Sequence, residues 1–230
     1  LNRKALAGRA PSQPLSRISE EGGDPVTFYT DRAIIDAILE GVELAEGSIN
    51  MWCYCIDYTP LFFLMCRRIA EGVAGRFILD LGNFYSSSCS RQAERISALY
   101  QAGVAAGQPG MLRVIKPKQG GFSNMHCKTT IIDGRVVYTG SPNMTHNGLE
   151  NNKEHFFRMT QANVVRRLMD DFEATWQASE PVDDNMMERM NFKAVERVMN
   201  KTSTGDTRTR RSASVRLNRS LDPELKRAGE

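Results

Sequence analysis

His126, Lys128 and the run Gly140-Ser141-Pro142-Asn143 put an imidazole, an ammonium and several hydrogen-bond donors within eighteen residues of chain. A neutral imidazole nitrogen is a nucleophile toward phosphorus, and an ammonium beside it neutralises the non-bridging phosphate oxygens. The hydroxyl of Ser141 and the amide of Asn143 are donors suited to the same oxygens. These are the groups that phosphodiester cleavage needs without a metal. Asp133 falls between the two clusters, so the whole reads H-x-K-x(4)-D-x(6)-G-S-x-N.

The elements that must hold these side chains are legible nearby. Met125 to Ile132 (MHCKTTII) is rich in β-branched and apolar residues and lacks Gly and Pro, which predicts a strand. Alternate side chains share a face of a strand, so His126, Lys128 and Thr130 are expected on one side and Cys127, Thr129 and Ile131 on the other. Asp133-Gly134 predicts a two-residue hairpin turn, and Arg135 to Thr139 the returning strand. The turn alone accounts for Asp133, which reads as structural. Gly140 to Asn143 closes the second strand in a turn. Lys128 is a residue type seldom buried without a partner, which suits an anion-binding role.

Around this hairpin the pattern alternates between strands and helices. A helix is expected over Asp31–Ala45, where Ile34, Ile35, Ile38 and Val42 recur at helical spacing. Strands are expected over Ser48–Cys55, Arg76–Asp80 and Met111–Lys116. A helix over Pro60–Ala74 is ended by Gly72 and Gly75, and Gln92–Gln101 is helical ahead of a loop from Gly103 to Gly110. Lys116 to Phe122 reads as a basic loop near the site, able to touch a phosphate backbone. His146 and His155 read as a loop and a strand histidine. Phe172 and Trp176, at helical spacing, read as core packing.

The motif and these elements resemble the phospholipase D superfamily, whose signature is an HKD motif followed by G-S-x-N. The resemblance runs from about Val26 to Pro181 and includes Asn152-Lys153-Glu154. It implies an α/β fold, a mixed β-sheet flanked by helices, in a single domain spanning 26–181. It implies His126 as nucleophile, Lys128, Ser141 and Asn143 as phosphate ligands, and Glu154 as the acid that orients the histidine, with Asn152 as a possible helper. Asp133 and Gly140 are structural members of the motif. The family's mechanism uses one histidine to form a phosphohistidine and a second to protonate the leaving group and then activate water. No metal or cofactor takes part.

This chain carries one such motif among three histidines, His126, His146 and His155. Single-motif members of the family are mostly small endonucleases that share one site across a homodimer axis, and a two-fold interface sets each residue opposite its own copy. The expected function is therefore a metal-independent endonuclease acting on DNA or RNA as a homodimer, leaving a 5′-phosphate if the family's usual polarity holds. The alternatives are a phospholipase D or cardiolipin hydrolase-like enzyme acting on an anionic phospholipid, and a catalytically silent nucleic-acid-binding or scaffold protein.

Bulk properties narrow the setting. Over 230 residues the net charge is only +3, which excludes a histone-like polycation. The five cysteines show no C-x-x-C spacing and no Cys/His cluster for zinc, so free thiols in a cytoplasmic or other reducing intracellular compartment are expected. Residues 1–25 are polar and expected to be disordered. Residues 1–19 carry Arg3, Lys4, Arg9 and Arg17 without an acid, a transit-peptide-like composition that makes mitochondria the alternative. After Pro181, a helix is expected within 182–200, with Met186, Met190 and Val198 as its apolar stripe. A basic disordered tail over 201–230 follows, in which residues 201–219 hold six basic side chains against the single acid Asp206. Such a tail suits salt-sensitive attraction to nucleic acid or anionic membrane.

Overall fold

A computed structural model describes residues 24–86, 91–116 and 124–203, apart from the side chains at 197, 198 and 200–203. The predicted basic loop, the N-terminal segment up to residue 23 and the tail beyond residue 203 lie outside the described residues.

The elements follow in the order β1 (Val26–Thr30), α1 (Arg32–Glu43), β2 (Ser48–Cys53), α2 (Thr59–Ala70), β3 (Ala74–Asp80), α3 (Leu81–Phe84), α4 (Gln92–Ala105), β4 (Leu112–Ile115), β5 (Lys128–Ile132), β6 (Val136–Gly140), a π-helical turn (Asn147–Asn151), β7 (His155–Met159), α5 (Ala162–Ala178), β8 (Glu180–Pro181) and α6 (Asp184–Ser203). One mixed sheet of eight strands takes the order β1-β7-β6-β5-β2-β3-β4-β8. β2, β3 and β4 run parallel, and the other pairings are antiparallel. This is the α/β architecture expected from the sequence.

Strand alternation sorts the core into two layers. Met51, Cys53, Phe77, Leu79, Ile132, Val136 and Tyr138 face one side, where α1, α2, α4 and α6 bring Ile38, Met65, Leu99 and Met190 against them. Trp52, Ile78, Ile131 and Val137 face the other, where α5 covers them with Val165 and Phe172. Trp176 stacks on Phe172 at 5.9 Å and the Arg76 guanidinium lies over both rings, so this pair is core packing.

Several boundaries differ from the sequence expectation: α2 ends at Ala70 and not Ala74, and the Gly75 expected to stop it lies inside β3. Helix α4 continues to Ala105, past the expected loop start at Gly103. A Cβ at Gly103 would lie 2.6 Å from the Met111 sulfur, so this glycine permits close packing and does not stop the helix. The ladder at β5 begins at Lys128, leaving Met125, His126 and Cys127 as a lead-in. The strand at β2 ends at Cys53, and Cys55 beyond it is disulfide-bonded, to a partner outside the described residues. The expectation of free thiols therefore fails for Cys55, because it was drawn from cysteine spacing, which does not see long-range pairing. Cys53, Cys66 and Cys127 are free.

Candidate active site

The motif hairpin lies at the centre of the sheet, and its two ends do different work. At the turn, Asp133 and Gly134 have φ of 54° and 62° and Arg135 N–H donates to the Ile132 carbonyl at 2.9 Å, the twist that suits a tight hairpin. The ladder pairs Ile132 with Val136, so Arg135 is one extra residue bulged out of register. The Asp133 carboxylate accepts three backbone N–H groups from the α1–β2 loop: Glu46 at 2.9 Å, Gly47 at 2.7 Å and Ser48 at 2.7 Å. Asp133 thus ties the hairpin to β2 at the end remote from His126.

At the opposite end the chemistry-bearing side chains gather. Lys128 is 7% exposed, and its Nζ lies 2.8 Å from His126 Nδ1, 3.0 Å from His126 Nε2 and 2.8 Å from the His126 carbonyl oxygen. The imidazole is exposed on its other side and packs against the Tyr54 ring at 4.6 Å. Partial burial, then the Lys128 charge, pull the His126 pKa below its usual 6.5, with Asp80 opposing. Burial likewise lowers Lys128 below 10.5, opposed in part by nearby acids including Glu154. Both causes favour the neutral ring in the single chain, with the Lys128 ammonium against its nitrogens.

The donor turn is built by close backbone approach. A Cβ at Gly140 would fall 2.2 Å from the His155 carbonyl oxygen and 2.9 Å from the Phe156 Cα, so only glycine lets β6 press against β7 there. Ser141 N–H then donates to the His155 carbonyl at 3.0 Å. The Ser141 hydroxyl donates to Glu154 and accepts from the His155 N–H at 3.1 Å. The second Glu154 oxygen accepts from Asn152 at 3.1 Å. Glu154 is thus held by Ser141 and Asn152, while His126 is held by Lys128. Gly148 meets the same condition as Gly140, since a Cβ would lie 2.3 Å from the Asn143 carbonyl oxygen. The Asn143 side-chain oxygen is buried and accepts no hydrogen bond among the described residues.

Two contributors were missed in the sequence. Tyr54 follows the end of β2, and Asp80 closes β3. Asp80 accepts from Asn83 N–H at 2.7 Å, capping α3, and from Met125 N–H at 3.0 Å, which fixes the lead-in to His126. Their signal was positional: groups at the carboxyl ends of adjacent parallel strands converge on one rim. His146 and His155 fall as expected, one in a loop with Nδ1 3.3 Å from Glu150, the other opening β7 with its ring against Phe28. Among the described residues no three His, Cys, Asp or Glu side chains cluster to hold a metal ion.

A family model described as "Cardiolipin synthase, PLD-like domain" matches residues 38–176, more than half of the chain. The chain belongs to the phospholipase D superfamily. Members of that superfamily are phosphodiesterases. The mouse mitochondrial cardiolipin hydrolase is 37% identical over 199 residues, 79% of this chain and 83% of that protein. The human one is 24% identical over 75% of this chain, and the aligned part spans only 62% of the relative's length. Two solved structures share the fold. NucT from Helicobacter pylori superposes with a TM-score of 0.57 at 16% identity, over 68% of this chain and 98% of that one. The phospholipase D family member Nuc from Salmonella typhimurium superposes with a TM-score of 0.57 at 15% identity, over 69% and 98%.

Proposed function

We propose that this phospholipase D-like chain is a metal-independent endonuclease that works as a homodimer through a phosphohistidine. The observation that carries the chemistry is the Lys128 ammonium at 2.8 Å and 3.0 Å from the ring nitrogens of a neutral, outward-facing His126. An incoming phosphate draws the ammonium onto its oxygens and frees a ring nitrogen to attack. The P–N bond forms as the P–O bond to the leaving group breaks, and the Ser141 hydroxyl turns from Glu154 to donate, with the Asn143 amide, to the non-bridging oxygens. The leaving alkoxide takes its proton from His126 of a second copy, the protonated member of the coupled imidazole pair. That imidazole, now neutral, deprotonates water, which cleaves the phosphohistidine and returns both rings to their starting states. Glu154 acts through Ser141 as a positioning residue.

A second imidazole has to come from outside the chain because the other two are held elsewhere, His146 by Glu150 and Tyr58 and His155 by Phe28. Mixing equal amounts of wild-type and His126→Ala chains, with exchange allowed, will leave about a quarter of the wild-type activity, because only unmixed wild-type dimers keep both rings. Retention of half would mean self-sufficient monomers.

A second reading is a cardiolipin hydrolase located in mitochondria. It is supported by the similarity to the mouse mitochondrial cardiolipin hydrolase and by exposed Phe28, packed on Phe157 and His155, an apolar margin suited to acyl chains. No helix among the described residues is long and apolar enough to cross a membrane. Incubation in EDTA with single-stranded DNA, duplex DNA, RNA and cardiolipin, beside His126→Ala, separates the readings. Cleavage of nucleic acid alone supports the endonuclease, and turnover of cardiolipin alone replaces it with the lipid enzyme. Silence on all four leaves a scaffold role.

A further inference from the structure

A depression of about 440 Å3 lies beside the catalytic cluster, lined by Asp57, Tyr58, Thr59, Arg91, His146 and Glu150. None of these residues takes part in the chemistry above. Both walls are continuous with catalytic segments. One wall begins at Asp57, three residues and so at most about 11 Å of chain beyond Tyr54, the residue packed on His126. The other wall carries His146, three residues beyond Asn143. The walls are stitched together where the Met144 carbonyl accepts from Asp57 N–H and Tyr58 N–H, each at 3.0 Å. They cannot move apart without dragging the donor turn with them.

The interior has a definite polarity. Tyr58 is buried and its ring stacks with His146 at 6.5 Å and 26°, which backs one face of the imidazole and leaves the ring exposed on the other side. Burial, then its hydrogen bond to Glu150, raise the Tyr58 hydroxyl to about 12, so it remains a donor to that carboxylate. Glu150 is thereby held between Tyr58 and His146. Asp57, which lines the cavity, spends one oxygen on the His146 N–H at 3.0 Å, and its other oxygen has no hydrogen-bond partner among the described residues. Arg91, exposed at the start of α4, has no ion-pair partner among the described residues. The depression therefore offers a flat ring, a free guanidinium and a spare carboxylate oxygen. A nucleotide carries the complement: an aromatic base, a phosphate, and N–H or O–H donors on base and sugar.

We propose that this depression is a subsite for the nucleotide next to the scissile phosphate, with its base on His146, its phosphate on Arg91 and a base or sugar donor on Asp57. The proposal rests on the endonuclease reading, and its test separates the two. Steady-state kinetics in EDTA would compare wild type, Arg91→Ala, His146→Ala and His146→Phe on a single-stranded oligonucleotide and on bis(p-nitrophenyl) phosphate, which is too small to reach the subsite. The expected result is a KM for the oligonucleotide raised about fivefold or more by Arg91→Ala and by His146→Ala. His146→Phe, which keeps a ring, restores it. The kinetics on the small diester stay at the wild-type level throughout.

An unchanged KM in both alanine variants overturns the subsite while leaving the endonuclease intact. So does a loss of equal size on both substrates, which would assign these residues to the fold or the chemistry. Wild type that cleaves the small diester but no oligonucleotide removes the endonuclease reading and the subsite with it. Cardiolipin turnover that weakens in Arg91→Ala would give the cavity to a lipid head group and overturn the nucleotide assignment.

Discussion

Asp133 is the motif residue whose removal best separates folding from chemistry. Its carboxylate collects the backbone N–H groups of Glu46, Gly47 and Ser48 while its own backbone sits at a φ of 54°. Two of these bonds are exposed, so each contributes about 1–1.5 kcal/mol and not the full value of a shielded charged bond. Alanine loses all three and is less at ease than aspartate in the left-handed region, worth about 1 kcal/mol more. Asp133→Ala should therefore cost about 4–5.5 kcal/mol, lowering Tm by roughly 10–20 °C for a domain of this size. Asp133→Asn tolerates the positive φ and can keep a carbonyl where one oxygen accepts from both Gly47 and Ser48. Its amide then faces the Glu46 N–H, for a cost of about 1–2 kcal/mol. His126 lies beyond the far end of β5, and Lys128 to Asp133 alone spans about 17 Å of strand. Both variants should keep the wild-type kcat below their melting range. Thermal melts by circular dichroism with parallel kinetics on bis(p-nitrophenyl) phosphate read both quantities. A drop in kcat of a hundredfold in folded Asp133→Asn, with Tm unmoved, would refute the structural assignment.

The lowered His126 pKa places the acid limb of kcat/KM below pH 6.5, since activity is lost as the nucleophile gains a proton. The same profile should fall on the basic side as the imidazole of the second copy loses the proton that the leaving group needs, and an acid limb above 6.5 would contradict the site geometry. Lys128→Met removes one of the two causes that depress the histidine, so the imidazole midpoint followed by NMR should move up from its wild-type position. Gly140→Ala drives a methyl into the β7 backbone and should destabilise by about 1–3 kcal/mol while displacing Ser141, readable as lost kcat in the folded fraction. Alkylation at pH 8 should label exposed Cys127 well before Cys53 and Cys66, whose thiols burial raises to about 12; mass spectrometry of timed samples gives the order.

The chemistry was legible because it is compressed into one hairpin, where turn residues and strand alternation are both local signals. Lys128 beside His126, Gly140 at the strand end and Asp133 in the turn were all read from neighbours in sequence. Long-range consequences were not. Nothing local says that Asp133 reaches back to residues 46–48, because that bond depends on β5 pairing with β2 across the sheet. Tyr54 and Asp80 escaped for the same reason, each standing at a strand end far from the motif. Gly103 misled because a glycine that admits a neighbour's side chain looks, in sequence, like one that stops a helix. Cys55 misled because the spacing of cysteines along the chain does not say which sulfurs the fold brings together.

The lead-in that carries His126 has a mechanical meaning. The ring is mounted off the sheet, on a short arm pinned by Asp80 at Met125 and steadied by Lys128. When phosphorus passes from one oxygen to nitrogen and on to another, something must follow it through space. A nucleophile built into a rigid ladder would force that travel onto the substrate. Here the arm can supply it while the sheet behind stays still.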